Sequence, residues 1–244
     1  MADAVEDLLE EPAPSGRAHV SPGPTAQRDI NLDGFGNLSD EALADELVLN
    51  GATNVRIVDD DGDDDIVTRD GGLPHDLFGV SGKWATYIDR DKQYIAFYGR
   101  WNYKNQYIGS GNPYDAAALA VSNFSQNCWT NTSTGLKTFD QDGTKTNLRS
   151  RKDADHNSTI WNVNDDTRAF QLLTDMGFAW IEMRRDKLGC DDNKHGKFYH
   201  EHNQNGNGGW SASVNLAIFS ISYTGEDGQA LQKSSKYKTL PYNE

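Results

Sequence analysis

The chain divides its charge and its aromatic residues near residue 80, and that division limits what either part can fold into. Residues 1 to 80 carry 19 acidic and 4 basic side chains, whereas residues 81 to 244 carry 18 acidic and 19 basic. All six Trp, all ten Tyr and seven of the nine Phe lie in the second part. The formal charge of -14 therefore belongs to an N-terminal segment, and the core-forming material sits behind it. A segment so acidic and so poor in aromatic residues cannot bury enough apolar area to offset its own chain entropy. It is expected to order only where the body or a neighbouring subunit holds it.

Several classes are set aside by what the sequence lacks. It has no run of apolar residues long enough for a membrane-spanning helix, and the start MADAVEDLLEE has neither the basic nor the apolar region of a secretory signal. A soluble chain made without cleavage is expected. Two cysteines, Cys128 and Cys190, give no disulfide framework and no cysteine zinc cluster, which leaves stability to a packed core.

Residues 11 to 28 hold four Pro and two Gly without periodicity and read as an extended arm. In Asn37 to Asn50, Ser39 suits an N-cap, and Leu43, Ala44, Leu47 and Val48 fall on one helical face. The aspartates of residues 59 to 65 are flanked by β-branched residues, which predicts two short strands joined by an acidic turn. Beyond Gly79, strands are predicted at Lys83 to Asp89, Gln93 to Arg100, Tyr103 to Gly109, Ser158 to Val163, Phe178 to Arg184, Lys197 to His202 and Trp210 to Tyr223. In the last of these the apolar parity changes after Ile218, which predicts a bulge or a second buried surface. Helices are predicted at Pro113 to Asn123, from its Ala-rich body, and at Asp166 to Met176, stopped by Gly177. The resulting fold class is mainly β, a β-sandwich or jelly-roll body (81 to 244) with small helical insertions, preceded by a long acidic arm (1 to 80).

Three patterns point to chemistry. Asp29, Asn31, Asp33, Asn37 and Asp40 occupy positions 1, 3, 5, 9 and 12 of a loop with Gly34 at position 6, so short oxygen side chains can converge on calcium. Over these 12 residues the chain resembles the calcium loops of EF-hands and dockerin modules, with Asp in place of Glu at the last position and Gly36 where an aliphatic residue is usual. Asp59, Asp61, Asp63 and Asp70 repeat the spacing, with Asp64 in the glycine position. Cys190, Asp191, Asp192, His195, His200 and His202 form a second cluster. His200 and His202 alternate on a predicted strand and so project to one face, an arrangement that can share a metal. This resembles the first half of the cupin pattern, without its Glu and without a second His motif downstream.

The third pattern is GVSGKWATYI at Gly79 to Ile88, QYIG near Gln106 and YDAAALAV at Tyr114 to Val121. Three strands followed by an Ala-rich helix are similar to the AP2 DNA-binding domain, and the resemblance implies a sheet laid in the major groove. Residues 83 to 152 carry 10 basic and 5 acidic side chains among Trp84, Tyr87, Tyr94, Trp101, Tyr103 and Tyr107. Such a mixture can neutralise phosphates and stack on bases. No nucleophile elbow, zinc-protease helix, phosphate loop or dinucleotide fingerprint is present in the sequence.

Three function classes follow. The first is a structural, non-enzymatic assembly protein, such as a virion capsid or other shell subunit, whose arm lies on neighbouring copies and docks its Leu43, Leu47 and Val48 stripe there. The second is a binding module, for DNA through residues 79 to 121 or for glycans through Trp and Tyr platforms. The third is a metal-assisted enzyme at His195, His200 and His202.

Overall fold

The computed structural model describes residues 39–58, 65–69, 77–104, 114–146, 149–165, 167–168, 171–204, 210–214, 219–223, 229–235 and 238–241. Among the described residues, one helix, α1 (Asp40–Leu49), precedes sixteen strands. These are β1 (Thr53–Val58), β2 (Asp65–Arg69), β3 (Phe78–Asp89), β4 (Lys92–Tyr103), β5 (Asp115–Ser122), β6 (Trp129–Phe139), β7 (Arg149–Ala154) and β8 (Ser158–Val163). The rest are β9 (Thr167–Arg168), β10 (Gln171–Leu172), β11 (Met176–Arg185), β12 (Lys194–Gln204), β13 (Trp210–Val214), β14 (Phe219–Tyr223), β15 (Gln229–Ser234) and β16 (Lys238–Leu240).

Two antiparallel sheets carry the body. One runs β1-β3-β4-β11-β6, and the other β2-β15-β12-β5-β8-β7 with β16 also on β12. Between them lies the main core, with Phe78, Trp84, Phe97, Trp101, Leu136 and Ile181 from the first sheet facing Leu119, Trp161, Phe198 and Leu231 from the second. The architecture is the expected sandwich. Two glycines allow close approach inside it: the Phe198 ring lies against Gly99 and the Trp101 ring against Gly177, each where a Cβ would stand.

The outer faces are covered as well. Helix α1 begins at the Ser39 cap, whose hydroxyl accepts from the Ala42 N–H at 3.3 Å. Its Leu43 and Leu47 are 0% exposed among Ala85, Tyr87, Ala96, Tyr98 and Phe178 of the first sheet. The apolar stripe thus docks on its own body instead of a neighbour, and Val48, 56% exposed, lies off it. On the second sheet Val214 of β13 packs with Ala116, Ala118, Ile160 and Tyr199.

That cover explains the first departure from the sequence reading. Pro113 to Asn123 was expected as a helix, yet 115–122 is strand β5, buried along almost its whole length. An Ala-rich run favours a helix when isolated, but here both faces of the strand are covered, so neither periodicity nor propensity signals a strand. With β5 in the opposite sheet from β3 and β4, the AP2-like arrangement of sheet and helix is absent. Asp166 to Met176 was also expected to be helical; instead, β9 and β10 form a small antiparallel pair leading into β11.

Trp210 to Tyr223, read as one strand, is a hairpin in which Trp210 faces Tyr223 and Val214 faces Phe219. The parity change marks the reversal between two strands. Tyr103 ends β4, and residues 105–109 of the proposed third strand lie outside the described residues. β1 and β2 form at either side of the aspartate run, but they do not pair with each other. β1 joins β3 at an edge of the first sheet and β2 joins β15 at an edge of the second. Residue 80, the expected domain boundary, falls within β3.

The cysteines, read as offering no framework, form one disulfide, Cys128–Cys190. It ties the β5–β6 crossing to the β11–β12 crossing. Lys194 strengthens the same end, donating to the carbonyls of Asn123 at 2.6 Å and Cys190 at 3.1 Å and lying over the Phe124 and Trp129 rings.

Candidate functional site: a buried Asp-His cluster and a basic seam

At the end of the sandwich opposite the disulfide, four strands place polar side chains inside the core. His200 and His202 alternate on β12 and both face inward, as their spacing predicted. Asp115 opens β5 beside them, and Asp165 follows β8. All four are 0% exposed. The Asp115 carboxylate accepts from the Tyr103 hydroxyl at 2.9 Å and from the Asn203 N–H at 2.9 Å, and lies 3.0 Å from His202 Nδ1. Asp165 Oδ2 stands 4.0 Å from the same nitrogen.

His200 lies flat on Trp101, with ring centres 4.4 Å apart, and its Nε2 is 3.3 Å from the Tyr103 hydroxyl. Trp101 itself is seated by Gly177 and by its indole N–H donating to the Thr174 carbonyl at 3.3 Å. Burial pushes the His200 imidazole down to about 3, against a partial upward pull from Asp115. For His202, burial lowers the value, but Asp115 by charge and hydrogen bond, with Asp165, outweighs it and holds the group above its ordinary range. The two neighbouring histidines are therefore shifted in opposite directions.

The other members of the predicted histidine cluster lie elsewhere. His195 is seven residues back along extended β12, about 23 Å away at ~3.3 Å per residue, with Nδ1 3.0 Å from the Thr239 hydroxyl. Cys190 is in the disulfide, Asp191 is paired with Arg185, and Asp192 is exposed. The cupin-like pairing of the two histidines is present, but its partners are Asp115 and Asp165. Neither was found from sequence, because aspartates recur throughout this chain and only the strand order brings these two together.

In the calcium pattern, Asp29, Asn31, Asp33 and Asn37 lie outside the described residues. Asp40 is the first residue of α1, where its carboxylate takes an ion pair from Lys83 at 2.5 Å. Asp59, Asp61, Asp63 and Asp70 also lie outside the described residues.

A second charged feature lies on one side of the sandwich, where the edge strands β6 and β7 meet. Arg149 donates to the Leu136 carbonyl, and Arg151 to the Thr134 carbonyl at 3.2 Å, so β7 arginines stitch the two sheets together. Lys137, Lys145 and Lys152 lie along the same seam. Burial, then Lys145 and Arg149, hold the Lys137 ammonium down to about 8. Of the aromatic residues read as accompanying these cations, Trp84, Tyr87, Trp101 and Tyr103 are buried, Tyr94 is half-buried, and Tyr107 lies outside the described residues.

No family model matches the sequence, and no curated protein matches it. Solved structures resemble it weakly. One, described under Streptococcus parasanguinis adhesion by Fap1 fimbriae, is 12% identical with a TM-score of 0.35, covering 78% of this chain and 96% of that one. Clostridium perfringens delta-toxin is 4% identical with a TM-score of 0.37, covering 78% and 94%. The Clostridium perfringens NetB toxin in its membrane-inserted form is 8% identical with a TM-score of 0.31, covering 77% and 100%. Among the described residues, no helix is long and apolar enough to cross a membrane.

Proposed function

We propose that the chain is a structural subunit of a repeating assembly, a shell such as a virion capsid, and acts without catalysis. The observation that carries this reading is an open basic edge strand on a sandwich whose opposite edge strands, β1 and β2, are connected by an aspartate-rich stretch of sequence. On one side the edge strands β1 and β2 are joined by residues 59–64, five aspartates and a glycine. On the other, β7 is an edge strand exposed over most of its length, with Arg149, Arg151 and Lys152 on it and Lys137 and Lys145 beside it. An open edge strand is a template for pairing with another chain. An acidic edge that meets a basic edge makes a head-to-tail contact, which builds rings or extended arrays by repetition. The disulfide suits a particle that persists in an oxidising environment.

Light scattering of the full chain across concentration and salt tests the proposal. Oligomers that dissociate as salt rises are expected, as is their loss when Arg151→Glu and Lys152→Glu are combined. A compact monomer at high concentration and low salt would overturn it. The same seam favours a second reading, a polyanion-binding module. Retention of duplex DNA at low salt by a chain that stays monomeric would support that reading instead.

A further inference from the structure

We propose that Asp115, Asp165 and His202 form a structural site for one divalent transition-metal ion of the zinc class. The three side chains come from β5, from the segment after β8, and from β12. Each offers one ligand atom, and these atoms all lie within 4.8 Å of one another. His202 Nδ1 is 3.0 Å from Asp115 Oδ1 and 4.0 Å from Asp165 Oδ2. Ligands of a tetrahedral zinc ion with bonds of ~2.1 Å stand about 3.4 Å apart, so the observed separations bracket the required one.

Charge points the same way. Two carboxylates and an imidazole, all 0% exposed, occupy one corner of the interior. Buried carboxylates this close are stabilised by a cation lying among them. A divalent ion offsets both and leaves the imidazole free to ligate as the neutral base. The donor set of two oxygens and one nitrogen suits zinc or manganese better than magnesium or calcium, whose sites are built from oxygen alone.

The surroundings are those of supported ligands. Asp115 is already oriented by the Tyr103 hydroxyl and the Asn203 N–H, and the Tyr103 ring meets His202 edge-on at 5.5 Å. Hydrogen bonds of this kind fix a ligating carboxylate before metal arrives. Complete burial makes the site a clamp between strands, with water in the fourth tetrahedral position. This proposal stands apart from the assembly reading and does not depend on it.

The test uses the full chain, unfolded in denaturant with chelator under non-reducing conditions, then refolded with and without Zn²⁺. About one equivalent of zinc should be retained after desalting. The melting midpoint should rise by roughly 5 °C or more over the metal-free protein, with Mn²⁺ partly effective and Mg²⁺ not. Asp165→Asn should lower zinc affinity at least about tenfold, whereas His195→Ala should retain the metal. Wild-type protein that keeps less than about a tenth of an equivalent and melts identically with and without Zn²⁺ would overturn the site, whatever the variants do.

Discussion

Asp175 shows how one residue can set a pH dependence. Its carboxyl is pushed up to about 6 by burial and by the nearby Asp140 carboxylate, and its Oδ1 is buried without a hydrogen-bond partner. In the unfolded chain such a group ionises near 3.9. Between these values the folded state holds the proton and the unfolded state has lost it. Stability therefore falls as pH rises from about 4 to about 6 and stays lower above. The shift alone would amount to nearly 3 kcal/mol, but the group is only half-buried, and screening leaves about 1 kcal/mol. Asp175→Asn should accordingly stabilise the protein by about 1 kcal/mol near neutral pH and flatten the slope across that window. Denaturant titrations on both sides of the window check this, and an unchanged slope would sink it.

At the scale of elements, α1 separates local from tertiary contributions. Its cap and acidic first turn are legible in the sequence, but a helix of this length is marginal alone and depends on docking. Leu47→Ala removes an anchor that is 0% exposed and should cost roughly 3 kcal/mol of docking. Hydrogen exchange would then show lost protection over residues 40–52 with the sheets intact. Val48→Ala, at 56% exposure, should change protection little. Equal effects from the two variants would mean that α1 is not held by this stripe. β5 illustrates the converse: its Ala-rich sequence favours a helix locally, and two covered faces make it a central strand.

For the whole molecule, the disulfide constrains most because it joins two crossings between the sheets at one end. Its closed loop spans a sequence separation of 62 residues. By loop entropy such a link stabilises the fold by roughly 4 kcal/mol. Replacing both cysteines by serine should lower the denaturation free energy by about that amount while β5 and β12 stay paired, as measured in urea under non-reducing conditions. A loss below about 1 kcal/mol would mean that the unfolded chain is already compact. The basic edge is a property of the same scale: Arg149, Arg151 and Lys152 are ordinary by themselves, and only the strand order places them on an open edge.

The sequence by itself determined the features that depend on neighbours a few residues apart. Ser39 and the 3.6-residue spacing of Leu43 and Leu47 define α1, β-branched and aromatic residues mark β8 at Ser158–Val163, and the one-residue gap between His200 and His202 puts both rings on one face. Composition also located the core material behind residue 80. Tertiary structure alone decided the rest. Periodicity records a difference between two faces, so it vanishes in β5, where both are buried. It is also silent about reversal, so the hairpin of β13 and β14 read as one strand. The Cys128–Cys190 link, the gathering of Asp115 and Asp165 around His202, and the stitching of β6 to β7 all join residues far apart in the chain. Their proximity comes from strand order, a global packing outcome that no local pattern of side chains encodes.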